Sequence, residues 1–521
     1  MKTSKLRFIC AGIFIILTVS LCIFLCSKKH VEFCDESLTL ESANSVWKES
    51  VYEQWNTWMS GGDIASYYSA TDWNPRLITI MKRLWVDHVP FYFWLIRAAS
   101  LIARGSASPW IGMGLNIFLT VLFELWLFYV PGRSMGEDKR MLKAVCIFSG
   151  LFFFSFPLFF SQVNLVRMYL LIAYEMYMLL WYMGSFYLNR EEKKRNFAYA
   201  AVVACALITH YLFLPFFGIL CIFVFAALLI GDRKRIPKFI CMNISATILS
   251  CVMDPYWIYR LLRYNLMPRS DGNTGKKIEL GATLMRTLKG LVNMPFHGRL
   301  PFAAALALTL LIFAAAVVIL TKEGRKKTAV FFLLLIASIF CYLFIVYMMN
   351  GGAGRYHWPA FSLWIIPVYA AAIGIFIWLW DKKRGKLKVL GVLPGALLIA
   401  FLALNILDCK DGGIEYLYPD SVEDELRDKF ADIPWVIWCE EHTYYEEGAA
   451  YKYMIPSQIC FVSPNHPAGE ELELPDEYIL VCHDERDDDA LELMEKYSGT
   501  RPGKNGEPVY CGSMGFFPVK Q

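Results

Sequence analysis

Two adjacent carboxylates, Asp35-Glu36, begin within ten residues of the end of the first apolar segment. A carboxylate at a membrane–water boundary keeps water on one side and faces a dry cavity on the other, an environment that tunes a general base. Farther along stand Arg167-Met168-Tyr169 and Arg355-Tyr356-His357, and two histidines, His88 in Asp87-His88-Val89-Pro90-Phe91-Tyr92 and His210 in Thr209-His210-Tyr211. Guanidinium groups clamp phosphate and stabilise charge that grows on it. A carboxylate removes the proton of an attacking hydroxyl. Each residue also has a plainer reading. Asp-Glu can end a helix in a polar loop, and Arg167 and Arg355 can snorkel to lipid headgroups. His210 can be a hydrogen-bonded core histidine, and Asp254, before Pro255, can close a helix. Tyr169, Tyr211 and Tyr356 suit an interfacial aromatic belt. What favours chemistry is that the elements carry these residues to one place.

Those elements are membrane helices. Of 521 residues 56% are hydrophobic and only 19% charged, far from a soluble profile. A spanning helix needs about 20 apolar residues. Spans are expected near 8–27, 108–130, 141–160, 166–188, 197–210, 211–230, 237–256, 300–320, 328–349, 358–380 and 388–407. The linkers 132–140, 189–196, 231–238, 321–328 and 381–388 all carry Lys and Arg, which places them in the cytoplasm. The apolar run 197–230 has a basic linker at each end, so it crosses twice and turns at Thr209-His210-Tyr211. The first segment follows Lys2, Lys5 and Arg7 and lacks a small-residue cleavage site, so it reads as a helix with its amino terminus inside. Within the long first outer loop, 28–107, the apolar patch from Val89 to Ala103 reads as a helix lying in the interface. In this topology Asp35, Glu36, His88, Arg167, Tyr169, His210, Tyr211, Arg355 and Tyr356 share the outer face.

Residues 408–521 hold more than half of all the acids and read as a small extracytoplasmic α/β domain. Pro434–Trp438 and Tyr478–Cys482 are expected as buried strands, and Ala490–Tyr497 as a helix. Nine of the fifteen cysteines lie in apolar helices; Cys34, Cys409, Cys439, Cys460, Cys482 and Cys511 fall outside, where one or two disulfides of undetermined pairing are open. No Cys-x-x-Cys spacing offers a zinc site, and no Gly-rich nucleotide motif occurs. Scattered loop cations exclude a nucleic-acid stripe. The expected architecture is an all-α polytopic membrane domain over 1–407, about eleven spans, followed by the soluble domain 408–521.

Carboxylate and arginines at one outer boundary suit transfer of a sugar from a lipid phosphate, whose charged leaving group stays anchored in the membrane. The motifs resemble those of the GT-C membrane glycosyltransferases, in the branch related to protein O-mannosyltransferases and to transferases that decorate lipid A. Asp35-Glu36 with Leu40 to Asn44 is similar to the family's Asp-Glu after the first helix. The Asp87–Tyr92 stretch is similar to its His-Pro-Pro-Leu-Tyr-Tyr, with Val89 replacing one proline. Arg167-Met168-Tyr169, Thr209-His210-Tyr211 and Arg355-Tyr356 match three more motifs in order, over roughly residues 8–380.

The resemblance implies Asp35 and Glu36 as the catalytic residues, Asp35 as base and Glu36 positioning the acceptor or the loop. It implies Arg167 and Arg355 on the lipid phosphate, and His88, His210, Tyr169, Tyr211 and Tyr356 around the donor. Many relatives carry an acid before Arg-Met-Tyr where this chain has Val163-Asn164-Leu165-Val166, so neither a second acid nor a metal or other cofactor is expected. The expected partners are a polyprenyl-phosphate-linked sugar, membrane lipid, and a glycan, lipid or protein acceptor, with the tail binding the acceptor or a further partner. Two rivals stand beside this. A transporter or flippase of lipid-linked precursors would place ionisable groups at the midplane of two related halves. A sensor whose working part is the acidic tail would tolerate loss of Asp35.

Overall fold

A computed structural model of the chain describes residues 2–29, 34–45, 51, 54–84, 88–134, 156–188, 193–260, 280–296, 298–350, 354–381, 403–409, 413–415, 422–438, 455–466, 472–483, 487–498, 503–511 and 514–520. It is a helical bundle with a mixed sheet at its carboxyl end. Helix α1 (Lys2–Cys26) leads to α2 (Cys34–Asn44), strand β1 (Trp58–Ser60), α3 (Gly61–Tyr68), α4 (Leu77–Arg83) and α5 (Phe91–Ile102). The bundle continues with α6 (Trp110–Ser134), α7 (Pro157–Asn164), α8 (Tyr169–Tyr187), α9 (Lys193–Leu207), α10 (Phe213–Gly231) and α11 (Ile236–Met253). It closes with α12 (Leu280–Asn293), α13 (Phe302–Lys322), α14 (Lys326–Asn350) and α15 (Trp358–Asp381).

Among the described residues, six helical stretches are long and apolar enough to cross a membrane: Trp110–Pro131, Phe213–Gly231, Arg233–Met253, Phe302–Lys322, Lys326–Met348 and Arg355–Leu379. The chain is a multi-pass membrane protein. Three more expected spans coincide with α1, α8 and α9, which pass less clearly: α8 is rich in tyrosine, and the apolar parts of α1 and α9 are short, Ala11–Cys26 and Arg195–Leu207. The expected spans 141–160 and 388–407 lie mostly outside the described residues. The run 197–230 breaks at 208–212, between α9 and α10. The apolar patch that opens at Val89 forms α5, whose first free N–H, that of Phe91, donates to the Ile208 carbonyl at 3.0 Å. Nearly every residue of α8 is buried, and it packs against α9, α15, α6 and α7. It is the central helix of the bundle.

The tail contributes α16 (Glu423–Phe430), β2 (Trp435–Trp438), β3 (Gln458–Val462), β4 (Glu477–His483), α17 (Asp487–Ser498), β5 (Gly503–Lys504), β6 (Val509–Cys511) and β7 (Met514–Lys520). Strands β3, β2 and β4 are parallel, and their stretches Ile459–Val462, Trp435–Trp438 and Tyr478–Cys482 are buried hydrophobic runs, as a parallel core demands. Strand β7 continues the sheet antiparallel to β4. The expected boundary at residue 408 divides the chain but not the sheet, because β1 forms the far edge, with Met59 opposite Ile459. An unpaired β3 edge would expose a row of peptide groups, and β1 covers it. One hydrophobic core therefore joins Tyr68, Tyr92 and Phe123 to Trp435, Phe461 and Phe516. The second face of the sheet packs on Leu491 and Met494 of α17. Cys409, Cys460 and Cys482 form no disulfide among the described residues; the side chains of the other expected outer cysteines, Cys34, Cys439 and Cys511, lie outside the described residues.

Candidate functional site

Asp35 lies on the first turn of α2, where acids are favoured by the helix dipole. Arg167 stands in the turn between α7 and α8, and Arg355 in a 3-10 turn, Gly354–His357, that opens α15. Arg167 Nη2 stands 3.3 Å from Asp35 Oδ1, and Arg355 Nη2 stands 2.9 Å from Oδ2. The three side chains are 12%, 6% and 19% exposed in the order Asp35, Arg167, Arg355, so all three are largely withdrawn from solvent. Oδ2 has an ion-pair neighbour but makes no hydrogen bond among the described residues. A lone pair remains there for a proton. Arg167 Nη1 also donates to Thr39 Oγ1 at 2.9 Å, while the Thr39 hydroxyl donates to the Asp35 carbonyl at 2.7 Å. Arg167 thus holds α2 at two points.

An aromatic wall flanks the ion pairs. The Tyr169 ring meets His210 at 5.6 Å, Tyr356 at 5.9 Å and Trp358 at 6.1 Å between centroids. His210 faces Tyr356 at 6.4 Å, and the Arg355 guanidinium lies 5.5 Å from the Tyr356 centroid. The Leu212 N–H donates to His210 Nδ1 at 3.0 Å, so the neutral ring carries its proton on Nε2. Burial, with Arg167 adding to it, pushes His210 down to about 3. It is therefore a neutral hydrogen-bond donor at physiological pH.

Asp35, Arg167, Tyr169, His210, Arg355 and Tyr356 are thus brought together. His88 stacks on Phe93 at 5.9 Å. Tyr211 follows His210 in the same turn, half-buried against the cluster around α10. Glu36 takes different partners from its neighbour. Its carboxylate meets Lys29 Nζ at 2.5 and 2.6 Å and accepts the Val166 N–H at 2.7 Å.

The scaffold around the site includes residues that sequence reasoning missed. Lys29 looks like one more cation after a span, and nothing local marks it. Asn116 of α6 donates from Nδ2 to the Val163 and Leu165 carbonyls at 3.1 and 2.9 Å, and its Oδ1 accepts from Tyr92 at 2.9 Å. Gly112, one turn earlier on α6, faces Val166 so closely that a β-carbon would overlap that side chain. The far end of α2 is held by Asn44, which donates to the Tyr68 carbonyl at 2.8 Å and to Ser100 at 2.9 Å. Arg97, 1% exposed, adds an ion pair to Asp72 at 2.5 Å. Asp254 closes α11 and pairs with buried Arg260, which donates to the Met81 carbonyl at 2.7 Å. In the same segment the Trp257 Nε1–H donates to the Leu207 carbonyl at 2.8 Å. A polar residue that ends a helix in sequence is here a strut between α4, α9 and α11.

Two openings lie among the helices of the bundle. One, about 540 Å³, is walled by Arg286, Lys289, Gly290 and Asn293 of α12 and by Tyr347. Tyr347 stacks on His357 at 3.9 Å, next to the turn that carries Arg355. The other, about 370 Å³, is an apolar groove between α10 and α14, lined by Ile219, Ile222, Phe223, Phe340, Cys341, Phe344 and Ile345.

The sequence matches no family model and no curated protein. Its architecture does match solved structures. ArnT from Cupriavidus metallidurans bound to undecaprenyl phosphate superposes with a TM-score of 0.50 at 12% identity, covering 97% of this chain and 98% of that one. The same protein in the apo state gives 0.52 at 11% identity, covering 98% of each. Nearly the whole length corresponds, membrane bundle and tail alike. The chain shares the polytopic fold of these structures.

Proposed function

We propose that this protein is an inverting membrane glycosyltransferase that moves a sugar from a polyprenyl-phosphate donor to an acceptor on the outer face of the membrane. The observation that carries the reading is Asp35 held between Arg167 and Arg355, with a free lone pair on Oδ2. A buried ion triad of this kind contributes little to stability for its cost in desolvation. It serves well as a preformed phosphate clamp with a base at its centre. Undecaprenyl phosphate bound to a protein of the same fold supports a lipid-phosphate ligand.

An arriving donor phosphate draws the two guanidiniums from Asp35, which leaves the carboxylate to receive a proton. The acceptor O–H gives its proton to Asp35 Oδ2 as its oxygen forms a bond to the anomeric carbon. The bond from that carbon to the phosphate oxygen breaks, and its electron pair leaves with the polyprenyl phosphate. Arg167 and Arg355 meet the added charge. One displacement inverts the anomeric centre, and the charge balance needs no metal or cofactor. Neutral His210 donates from Nε2, and Tyr169 and Tyr356 offer apolar faces to the sugar. Arg286 and Lys289 extend the cationic wall, and the α10–α14 groove accepts the isoprenoid chain at hydrocarbon depth. The basic linkers support an orientation with the amino terminus in the cytoplasm and the site and tail outside.

The test is sugar release from radiolabelled polyprenyl-phosphate sugars by membranes containing the wild-type chain or Asp35→Asn at equal expression. Transfer by the wild type alone is expected. Equal transfer by both overturns the assignment of Asp35, and transport of the intact donor without cleavage favours the transporter.

A further inference from the structure

Asp35 and Glu36 are neighbours on α2, and the groups they hold, Arg167 and Val166, are neighbours on the α7–α8 turn. Fixing one of these two pairs fixes the other within the slack of a single residue. The Glu36 pair is the tighter. Its carboxylate binds Lys29 with both oxygens and takes the Val166 N–H, and Lys29 Nζ reaches on to the Asn164 carbonyl at 2.9 Å. The two side chains are 0% and 1% exposed. With Asn116 on the Val163 and Leu165 carbonyls, side chains hold three successive carbonyls and the next N–H of the turn.

We propose that Lys29 and Glu36 are a positioning pair that locks the α7–α8 turn to α2 and so sets the spacing of Arg167 from Asp35. Glu36 is then not a catalytic residue, although it adjoins the base. Lys29 is the anchor: it follows α1, so it ties the end of the first helix to both partners. The catalytic half of this inference rests on the transferase reading, while the lock itself is a property of the fold. Displacement of a reacting group by about 1 Å costs on the order of 100-fold in rate, which is the loss expected when the turn comes free.

The experiment uses the full chain in lipid nanodiscs as wild type, Lys29→Arg, Lys29→Met, Glu36→Gln and Lys29→Met/Glu36→Gln. Hydrogen exchange over residues 163–168 reads the lock without any substrate. Binding of undecaprenyl phosphate, and kcat and KM for sugar transfer, read the site. Lys29→Arg should keep slow exchange and activity within about threefold of wild type. Lys29→Met and Glu36→Gln should each exchange faster and lose about 100-fold in kcat. The double variant should be no worse than either, since both remove one device. Unchanged exchange in the single variants overturns the lock. Faster exchange with unchanged kcat overturns its role in positioning, and losses that multiply in the double variant make Glu36 act independently of Lys29. A wild type that neither binds undecaprenyl phosphate nor transfers sugar overturns the donor reading instead, and exchange still decides the lock.

Discussion

Arg355 Nη2 stands 2.9 Å from Asp35 Oδ2, yet that oxygen accepts no hydrogen bond among the described residues. The pair is held by charge rather than by directed bonding, so a phosphate can take the guanidinium without breaking a hydrogen bond on the base. On the transferase reading, carboxylate and donor phosphate compete for the same two arginines.

That competition separates binding from chemistry. In Asp35→Asn the arginines lose their internal anion, so undecaprenyl phosphate should bind at least as tightly as to wild type. Transfer should fall by about 10³-fold, within the range of a lost general base. Equilibrium binding and single-turnover transfer on the same preparation check both halves. A variant that loses binding and transfer together would show Asp35 to be a scaffold residue.

Gly112 gives a test of geometry from outside the ion pairs. The α-helix places its hydrogen against Val166, and alanine there would displace the turn that ends in Arg167. Gly112→Ala should raise the dissociation constant for undecaprenyl phosphate about tenfold and lower kcat, with little change in folding yield. Gly114, on the same helix with open space around it, supplies the control, and Gly114→Ala should behave as wild type.

His210 links the site to acid stability. An unfolded histidine titrates near 6.5, whereas burial pushes the folded one down to about 3. Between those values the unfolded chain binds a proton that the folded chain does not, so stability falls as pH drops below about 6.5. By pH 5 this amounts to about 2 kcal/mol. Asn offers an oxygen where Nδ1 accepts the Leu212 N–H, and it does not titrate. The melting temperature of His210→Asn should therefore fall less than that of wild type between pH 7.5 and 5. Equal falls would mean that His210 is hydrated in the folded protein.

How much of this was legible follows from the range of the interactions. Membrane helices show in composition, because about 20 apolar residues leave a one-dimensional signal. The turn at 208–212 showed through the basic linkers at both ends of the run. Asp35, Arg167 and Arg355 were legible as a set, since sidedness alone gathers them at one end. Lys29, Asn116 and Gly112 were not. Lys29 and Asn116 work on the backbone of residues 163–165, where a contact leaves no mark on the residue type it touches, and Gly112 matters only through its close approach to the Val166 side chain. The same holds for β1: Trp58-Met59-Ser60 is too short to read as a strand, and its partner lies in the tail.

The shared sheet bears on what the tail does. Phe461 is fully buried in the core that also contains Val51, Tyr68 and Tyr92 of the segment carrying α2. The Asn56 N–H donates to the Phe461 carbonyl at 2.8 Å, and Trp55 stacks on His466 at 5.0 Å. A tail that served only to recruit an acceptor could be loosened without disturbing the membrane part. A tail that braces the segment around α2 could not. Phe461→Ala should cost about 3–5 kcal/mol, and the loss should appear at α2 as well as in the sheet. Hydrogen exchange over residues 34–44 should accelerate in the variant along with exchange over 458–462, and binding of undecaprenyl phosphate should weaken. Exchange confined to the strands, with residues 34–44 as slow as in wild type, would make the tail an independent unit and return it to the role of an acceptor-binding domain.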